Sequence, residues 1–528
     1  MATKITFHGA AGTVTGSCYR IEHSRGQFLV DCGLFQGNKS VRELNWRPFP
    51  FDAGKLDYLI VTHAHIDHAG LVPKLVRHGF DQPIYATRPT KDLLAFLLPD
   101  SASIQESDAA RANKRRAREG KPLIEPAYTS EHAEQALNRT DAQAYETWFS
   151  PGPGVRARFW NAGHILGSAS VEVEIENGKS GDRPLRLLFS GDLGPDEKAF
   201  YADPEAPQGF DYILCESTYG GRQREEATLR QRRKTLRKEI RDAIARGGNL
   251  VIPSFAVERS QELLHDIGVL LSRREIPQVT VFLDSPLARK VTGVFVRYAS
   301  TLEEIEVDEK EIFRHPNFEI VQSVDGSKAI KDHDGPAIIL SASGMCDAGR
   351  IKHHLRNNLW RKDSTVLFVG YQAPGTLGHI LQGGAKSVRI HGKEVDVNAR
   401  IRRIGNYSAH ADQDELVAWV QERLPVHGGV FLTHGEQEQR KLLKKALVAS
   451  GVAAKRVLLP DLDETFTLTP SSATGKPAKK RRIDPAELER DWYNDYAALI
   501  LALGKRLEGL KEPGERKKLI RKLQRALG

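Results

Sequence analysis

The feature that most constrains this chain is Thr62-His63-Ala64-His65-Ile66-Asp67-His68, directly after the apolar run Tyr58-Leu-Ile-Val61. Three imidazoles and a carboxylate packed this closely are poor core material, because each buried polar group needs a partner. A buried strand that ends in such a cluster delivers side chains to a site at its end. Residues two apart in an extended segment point to the same side, so His63 and His65 face together. Asp67 and His68 turn towards a second position as the chain enters a helix. Nitrogen and oxygen donors at these spacings suit Zn²⁺, and two separate subsets suit two zinc ions.

One loop cannot complete two coordination spheres, so other strand ends should supply further donors. Asn161-Ala-Gly-His164 puts a His in a Gly-flanked turn after a strand. Gly191-Asp192 ends a second strand with a carboxylate suited to bridging two metals, and Thr433-His434 ends a third with an imidazole. Cys18, Cys32, Cys215 and Cys346 lack CxxC spacing, which argues against a thiolate zinc site and for a reducing compartment, the cytoplasm by default. No apolar run approaches the roughly 18 residues of a membrane span, and no secretory signal opens the chain.

The 528 residues predict about two to four domains. Short strands are expected through the first 200 residues, with a helix at 71–78 and a charged, helical stretch over 101–148. From about 211 the rhythm becomes strand–helix–strand, the pattern of a parallel sheet flanked by helices. A helix over about 225–246 carries Arg230, Arg232, Arg233, Lys234, Arg237 and Lys238 on what reads as a solvated face. Short strands return near 395, and residues 470–482 read as a Ser/Pro/Lys-rich linker to a basic helical tail. Residues 471–528 hold 15 basic against 8 acidic residues, so +7 of the net +9 sits there. The remaining 62 against 60 leave the body nearly neutral, and the tail reads either as a solvated, partly helical appendage or as an electrostatic tether for a polyanion such as nucleic acid.

His63-x-His65-x-Asp67-His68, then His164 and Asp192, resembles the metallo-β-lactamase superfamily, and Asp31 matches its strand-end Asp. Cys215-Glu216-Ser-Thr-Tyr-Gly, Asn406-Tyr-Ser-Ala-His410-Ala-Asp and Thr433-His434-Gly-Glu are similar to motifs A, B and C of its β-CASP, nucleic-acid-processing branch. The similarity runs over 3–465, and the nearest likeness is to bacterial RNA-processing nucleases. It implies an α/β chain, an αβ/βα sandwich with an inserted β-CASP α/β domain. Residues 1–207 and 396–470 would form the sandwich, 208–395 the insert, and 471–528 the linker and tail.

The resemblance further implies two Zn²⁺, one held by His63, His65 and His164, the other by Asp67, His68 and His434, with Asp192 between them. His410 would protonate the leaving oxygen, Glu216 would orient it, and Asp67 would help hold the attacking water. His434, where DNA-acting members carry Val, points to RNA. Glu258 and His379 stand where relatives often carry Gly and a basic residue, which bears on the RNA path. Ser341, Ser343 and Gly344, with Gly375–Gly378, could offer hydroxyl and N–H groups to phosphate. His8, His353 and His354 read as structural.

The expected function is a zinc-dependent ribonuclease leaving 5′-phosphate and 3′-hydroxyl ends. Its partners would be single-stranded RNA and, in a homodimer, a second copy, with no membrane. A small thioester or phosphodiester hydrolase and a metal-dead RNA-binding subunit are the alternatives.

Overall fold

Two sheets meet where the His-rich segment emerges. The computed structural model describes residues 2–526 except 177–182, 224–227, 304–312, 371, 373–375, 406, 485–486, 489–502, 504–505, 508 and 511. One eight-stranded sheet runs Ala473–Lys476, Thr465–Leu468, Thr3–Phe7, Tyr19–His23, Gly26–Val30, Tyr58–Ile60, Ile84–Thr87, Thr140–Gln143. A seven-stranded sheet runs Val457–Leu458, Gly429–Thr433, Tyr212–Glu216, Leu185–Phe189, Ala169–Ile175, Val155–Asn161, Phe149–Gly152. Alternate side chains of the first (Ile5, Phe7, Phe28, Val30, Tyr58) interdigitate with Val171, Val173, Leu187, Phe189 and Phe431 of the second. This period-two burial is what holds two sheets face to face.

Strand register then places the site. Val30 lies beside Ile60 in a parallel pair, so Asp31 and the segment leading to His63 leave the first sheet at the same edge. In the second sheet Glu216 lies beside Thr433 and Phe189 beside Leu214, also in parallel. Asp192, Glu216 and His434 therefore leave at neighbouring strand ends.

The third sheet, of the insert, runs Phe318–Ile320, Val281–Leu283, Ile338–Ser341, Leu250–Pro253, Thr365–Phe368, Arg400–Arg403, every pair parallel. The strand–helix rhythm read from the sequence is borne out here. The expected boundaries at 207/208 and 395/396 are displaced at both ends. Tyr212–Glu216 pairs within the sandwich, whereas Arg400–Arg403 closes the insert's sheet. Pairing decides this, and a buried parallel strand reads alike in either sheet.

Three other expectations need correction. The stretch 101–148 is not continuously helical: helices Arg88–Arg118 and Ser130–Asn138 give way to strand Thr140–Gln143. Arg232 and Arg233 are buried, not solvated. Their Nε atoms donate to the two oxygens of Asp266 at 2.8 Å, and the Tyr407 hydroxyl donates to the same carboxylate at 2.7 Å. The 470–482 linker contains a strand, Ala473–Lys476, antiparallel to Thr465–Leu468. Beyond it Arg482 pairs with both oxygens of Asp463 at 2.6 and 2.9 Å and donates to the His8 carbonyl, while Ile483 is buried. The start of the tail is thus part of the sandwich. Pro485, at the expected start of the tail helix, lies outside the described residues, and Pro513–Ala526 is helical. Among the described residues no helix is long and apolar enough to cross a membrane.

Two predictions follow from this packing. Asp266→Ala removes the carboxylate that two buried guanidinium groups share, leaving Arg232 with Glu262 at 3.2 Å, and should cost about 3–5 kcal/mol, read by urea unfolding; a loss below 1 kcal/mol would show the cluster contributes little. His8, with Nδ1 2.8 Å from Asp463, is held down at about 4 by burial. Unfolded His8 gains its proton near pH 6.5, so from there to about pH 4 the unfolded state binds more protons and stability falls, by roughly 3 kcal/mol. Unfolding of His8→Gln over the same range should show a smaller loss, and an unchanged pH profile would reject the assignment.

Candidate metal centre

The strand Tyr58–Ile60 is buried throughout and carries the chain to His63 extended. His65 caps the helix Ile66–Ala69, which puts Asp67 in its first turn and His68 in its last. His164 sits in the turn after Val155–Asn161, between Gly163 and Gly167 at φ +63° and +83°. Asp192 follows Leu185–Phe189 through Gly191, whose φ of +58° turns the chain sharply.

These elements bring every expected donor together. His63 Nε2 and His65 Nδ1 are 3.2 Å apart, and His65 Nδ1 and His164 Nε2 3.1 Å. Asp192 Oδ2 lies 3.5 Å from His63 Nε2 and 3.6 Å from His164 Nε2. Its other oxygen, Oδ1, lies 3.1 Å from His68 Nε2 and 3.4 Å from His434 Nε2, and Asp67 Oδ2 is 3.6 Å from His434 Nε2. Ligand atoms about 2.0–2.1 Å from a tetrahedral zinc stand about 3.3 Å from one another. The observed spacings are those of donors around a common centre, once on each side of Asp192.

Outer contacts fix which lone pairs face inward. His164 Nδ1 donates to the Ala409 carbonyl at 2.7 Å, which leaves Nε2 unprotonated. His68 Nδ1 donates to Asp31 Oδ2 at 2.7 Å. Thr62 gives its hydroxyl proton to Asp31 and so accepts from His63 Nδ1 at 3.0 Å. Each contact turns a basic nitrogen to the cluster, the arrangement of metal-binding histidines. Asp192 Oδ1 and His434 Nε2 are buried without a hydrogen-bond partner. A metal is the group that would satisfy them.

The electrostatics agree. Burial, then the neighbouring imidazoles, holds His63 and His164 well below the ordinary histidine value, and burial brings His65 to about 4. Burial alone would raise the Asp192 carboxyl, but His434, His68 and His63 together hold it well below its usual range. His68 departs from this pattern: burial lowers it, but Asp192 and then Asp31 more than reverse that and hold it well above the ordinary histidine value. A metal there would have to displace its proton, whereas His63, His65 and His164 already have the neutral form that metal binding requires.

His410 stands beside this cluster. Its Nδ1 is 3.1 Å from Glu216 Oε1 and 4.0 Å from Asp192 Oδ2. Glu216 is fully buried and held by the Leu193 and Thr218 N–H groups at 2.8 and 3.2 Å. Burial pushes the His410 pKa down, but Glu216, then Asp192 and Asp67, more than reverse it.

The expected substrate contacts fare differently. Ser341 is buried and its hydroxyl donates to the Asp284 carbonyl at 2.9 Å, so it is part of the insert's framework and cannot reach a phosphate. Ser343 is half-buried and Gly344 is buried against Phe255. Gly375 lies outside the described residues, and Thr376 caps the helix Leu377–Gln382. Glu258 is buried away from solvent: it pairs with Lys198 at 2.9 Å and accepts from the Tyr201 hydroxyl at 2.6 Å. His354 is structural, its Nε2 2.6 Å from buried Asp284, whereas His379 is exposed.

Sequence reasoning missed Thr62, Thr218 and Lys198. Thr218 Oγ1 lies 3.0 Å from His434 Nδ1, and Lys198 donates to the His164 carbonyl. Thr62 and Thr218 sit inside motifs and could have been suspected from their places beside ligands. Lys198 belongs to no pattern.

Comparison with known proteins agrees with this geometry. The chain matches the metallo-beta-lactamase superfamily over residues 11–218, the Beta-Casp domain over 260–381, and the Zn-dependent metallo-hydrolase RNA specificity domain over 394–460. It is 36% identical over 457 residues to Ribonuclease TTHA0252 of Thermus thermophilus, covering 85% of this chain and 96% of that one. It is 30% identical over 451 residues to the transcription termination factor FttA of Methanosarcina mazei (82% and 67% covered). An RNase J-like protein of Methanocaldococcus jannaschii is 28% identical over 441 residues (82% and 93%). The chain belongs to the metallo-β-lactamase superfamily, in the branch that carries a β-CASP insert.

Asp192→Ala should empty the centre, whereas Asp31→Ala, which removes only the anchor behind His68 and Thr62, should weaken metal affinity about 10–100-fold. Metal content and chelator competition read both. Full metal occupancy in Asp192→Ala would break the shared-carboxylate reading.

Proposed function

We propose that this protein is a zinc-dependent ribonuclease that hydrolyses RNA phosphodiester bonds at a dinuclear site, leaving 5′-phosphate and 3′-hydroxyl ends. The observation that carries it is Asp192, whose two oxygens each face a separate set of nitrogen donors, with the His410–Glu216 pair alongside. His63, His65 and His164 would hold one zinc and Asp67, His68 and His434 the other, with Asp192 between. Two zinc ions there would lower the pKa of a water to near neutrality and offset charge on the scissile phosphate.

The chain's own groups do the rest. Glu216, pinned by two backbone donors, accepts from His410 Nδ1 and keeps the imidazolium charged. Nε2 of His410 is then left to deliver a proton to the departing 3′ oxygen, a contribution of roughly 10²–10⁴-fold for a placed general acid. Asp67, on the second metal set, orients the attacking water. RNA as substrate is supported by the ribonuclease relative and by the RNA specificity family, whose matched segment contains both His410 and His434.

The test is cleavage of a 5′-labelled unstructured RNA by zinc-loaded protein, beside a matched DNA. His410→Ala should keep its metal and lose about 10²-fold or more in turnover. RNA cleavage at the wild-type rate by that variant would remove the general-acid role, and failure of the loaded wild type to cut RNA would reject the substrate.

A further inference from the structure

The carboxyl edge of the insert's parallel sheet has a topological switch point. From Leu250–Pro253 the chain crosses towards Val281–Leu283 on one side of the sheet, and from Thr365–Phe368 it crosses to Arg400–Arg403 on the other. The two strands are neighbours, so their connections diverge and open a crevice at their carboxyl ends, where open α/β sheets bind ligands. The residues at that crevice are Phe255, two past the first strand, and Gly370, two past the second.

Phe255 is 40% exposed, unusual for so large an apolar side chain. Its backbone is not loose: its carbonyl accepts from the Ser260 hydroxyl at 2.7 Å and the Ser260 N–H at 3.2 Å. Its ring lies against Gly344, where an added Cβ would come within 2.8 Å of the ring carbons, and 3.9 Å from the corresponding position at Gly370. Gln372 ties these two glycine loops together, donating to the Gly344 carbonyl at 2.9 Å and the Gly370 carbonyl at 3.4 Å. A rigid ring is therefore bordered by peptide groups and bare glycines, with part of its surface left to solvent.

The segment that carries the ring is tied to the sandwich. Three residues on, Glu258 pairs with Lys198 of the sandwich, which donates to the carbonyl of His164. The loop that holds Gly344 likewise faces the sandwich, with Asp347 in electrostatic reach of Arg42.

We propose that Phe255, seated between Gly344 and Gly370, is a stacking platform for an unpaired nucleobase of the RNA whose backbone lies at the metal centre. This rests on the ribonuclease reading and assigns it a base subsite. Base–aromatic stacking is tolerant of sequence because every base has a π-face, so the platform would hold single strands without selecting a base. Glycines at 344 and 370 keep the border of the slot thin enough for a planar ring to lie flat.

The experiment compares wild type with Phe255→Leu, Phe255→Ala and Phe255→Trp, all zinc-loaded, on unstructured RNA. A second set in the His410→Ala background measures RNA binding without turnover. Loss of stacking should weaken binding and raise KM roughly 5- to 150-fold in the Leu and Ala variants, with Trp at or near wild type. Leu retains apolar bulk without a π-face, so its loss separates stacking from simple packing. A series of RNAs with one abasic site each should find a position where wild type weakens and Phe255→Leu does not. If Phe255→Leu binds and cuts like wild type, the platform is wrong and the ribonuclease reading stands. If Leu matches Trp while Ala alone is weak, the ring is packing and the platform is again wrong. If loaded wild type neither binds nor cuts RNA, the reading beneath it fails.

Discussion

Everything else in the fold answers to one demand, that a single buried carboxylate serve two sets of imidazoles. Asp192 must present Oδ2 to His63 and His164 and Oδ1 to His68 and His434. Leaving a buried polar atom unpaired costs about 1–3 kcal/mol, more when it is charged, so gathering these groups at one place is a demand the scaffold must meet. The two sheets do this by bringing separate strand ends to one edge and packing Phe7, Phe28, Phe189 and Phe431 beneath them. An outer layer then removes rotational freedom: Asp31, Thr62, Thr218 and the Ala409 carbonyl each take one nitrogen of a histidine and leave the other facing inward.

The insert is joined to this centre by buried charges. Lys198 and Glu258 are each almost wholly buried and pair at 2.9 Å, one from the sandwich and one from the insert. On the insert's side, Arg232 and Arg233 of one helix and Asp266 of the next form a second buried group, completed by Tyr407. Such pairs contribute little net stability compared with apolar packing, but breaking one partner is costly, so they resist relative movement. Tyr407 lies three residues before His410, and the same cluster that braces the insert therefore braces the proposed acid.

What was legible in the sequence follows from how local each contact is. His63, His65, Asp67 and His68 declare themselves because one strand-to-helix bend places all four. His164, Asp192 and His434 can be recognised as strand-end polar residues once that cluster demands partners. Ser341 looked like a phosphate contact because a Gly-rich neighbour and a hydroxyl are all that the chain displays; its bond to the Asp284 carbonyl depends on strand neighbours 57 positions apart. Arg232 and Arg233 read as solvated because their partner, Asp266, is one helix away. The strand Ala473–Lys476 was hidden by composition: Ala-Thr-Gly-Lys has almost no apolar pattern and is held by backbone pairing to Thr465–Leu468. The junctions between sandwich and insert are hard to read for the same reason, since a run such as Tyr212–Glu216 does not say which sheet it will enter.

The short segment Ser408–Ala411 ties the metal set and the proposed acid into one unit. The Ala409 carbonyl fixes the tautomer of His164, while the next residue, His410, gives Nδ1 to Glu216. The Ala411 N–H then bonds the Leu193 carbonyl, one residue beyond Asp192, and Glu216 accepts from the Leu193 N–H. Moving this segment away from the sandwich would turn His164 from its inward tautomer and separate His410 from Glu216 in the same motion. The His410–Glu216 pair proposed for proton delivery and the orientation of His164 thus depend on the same short segment.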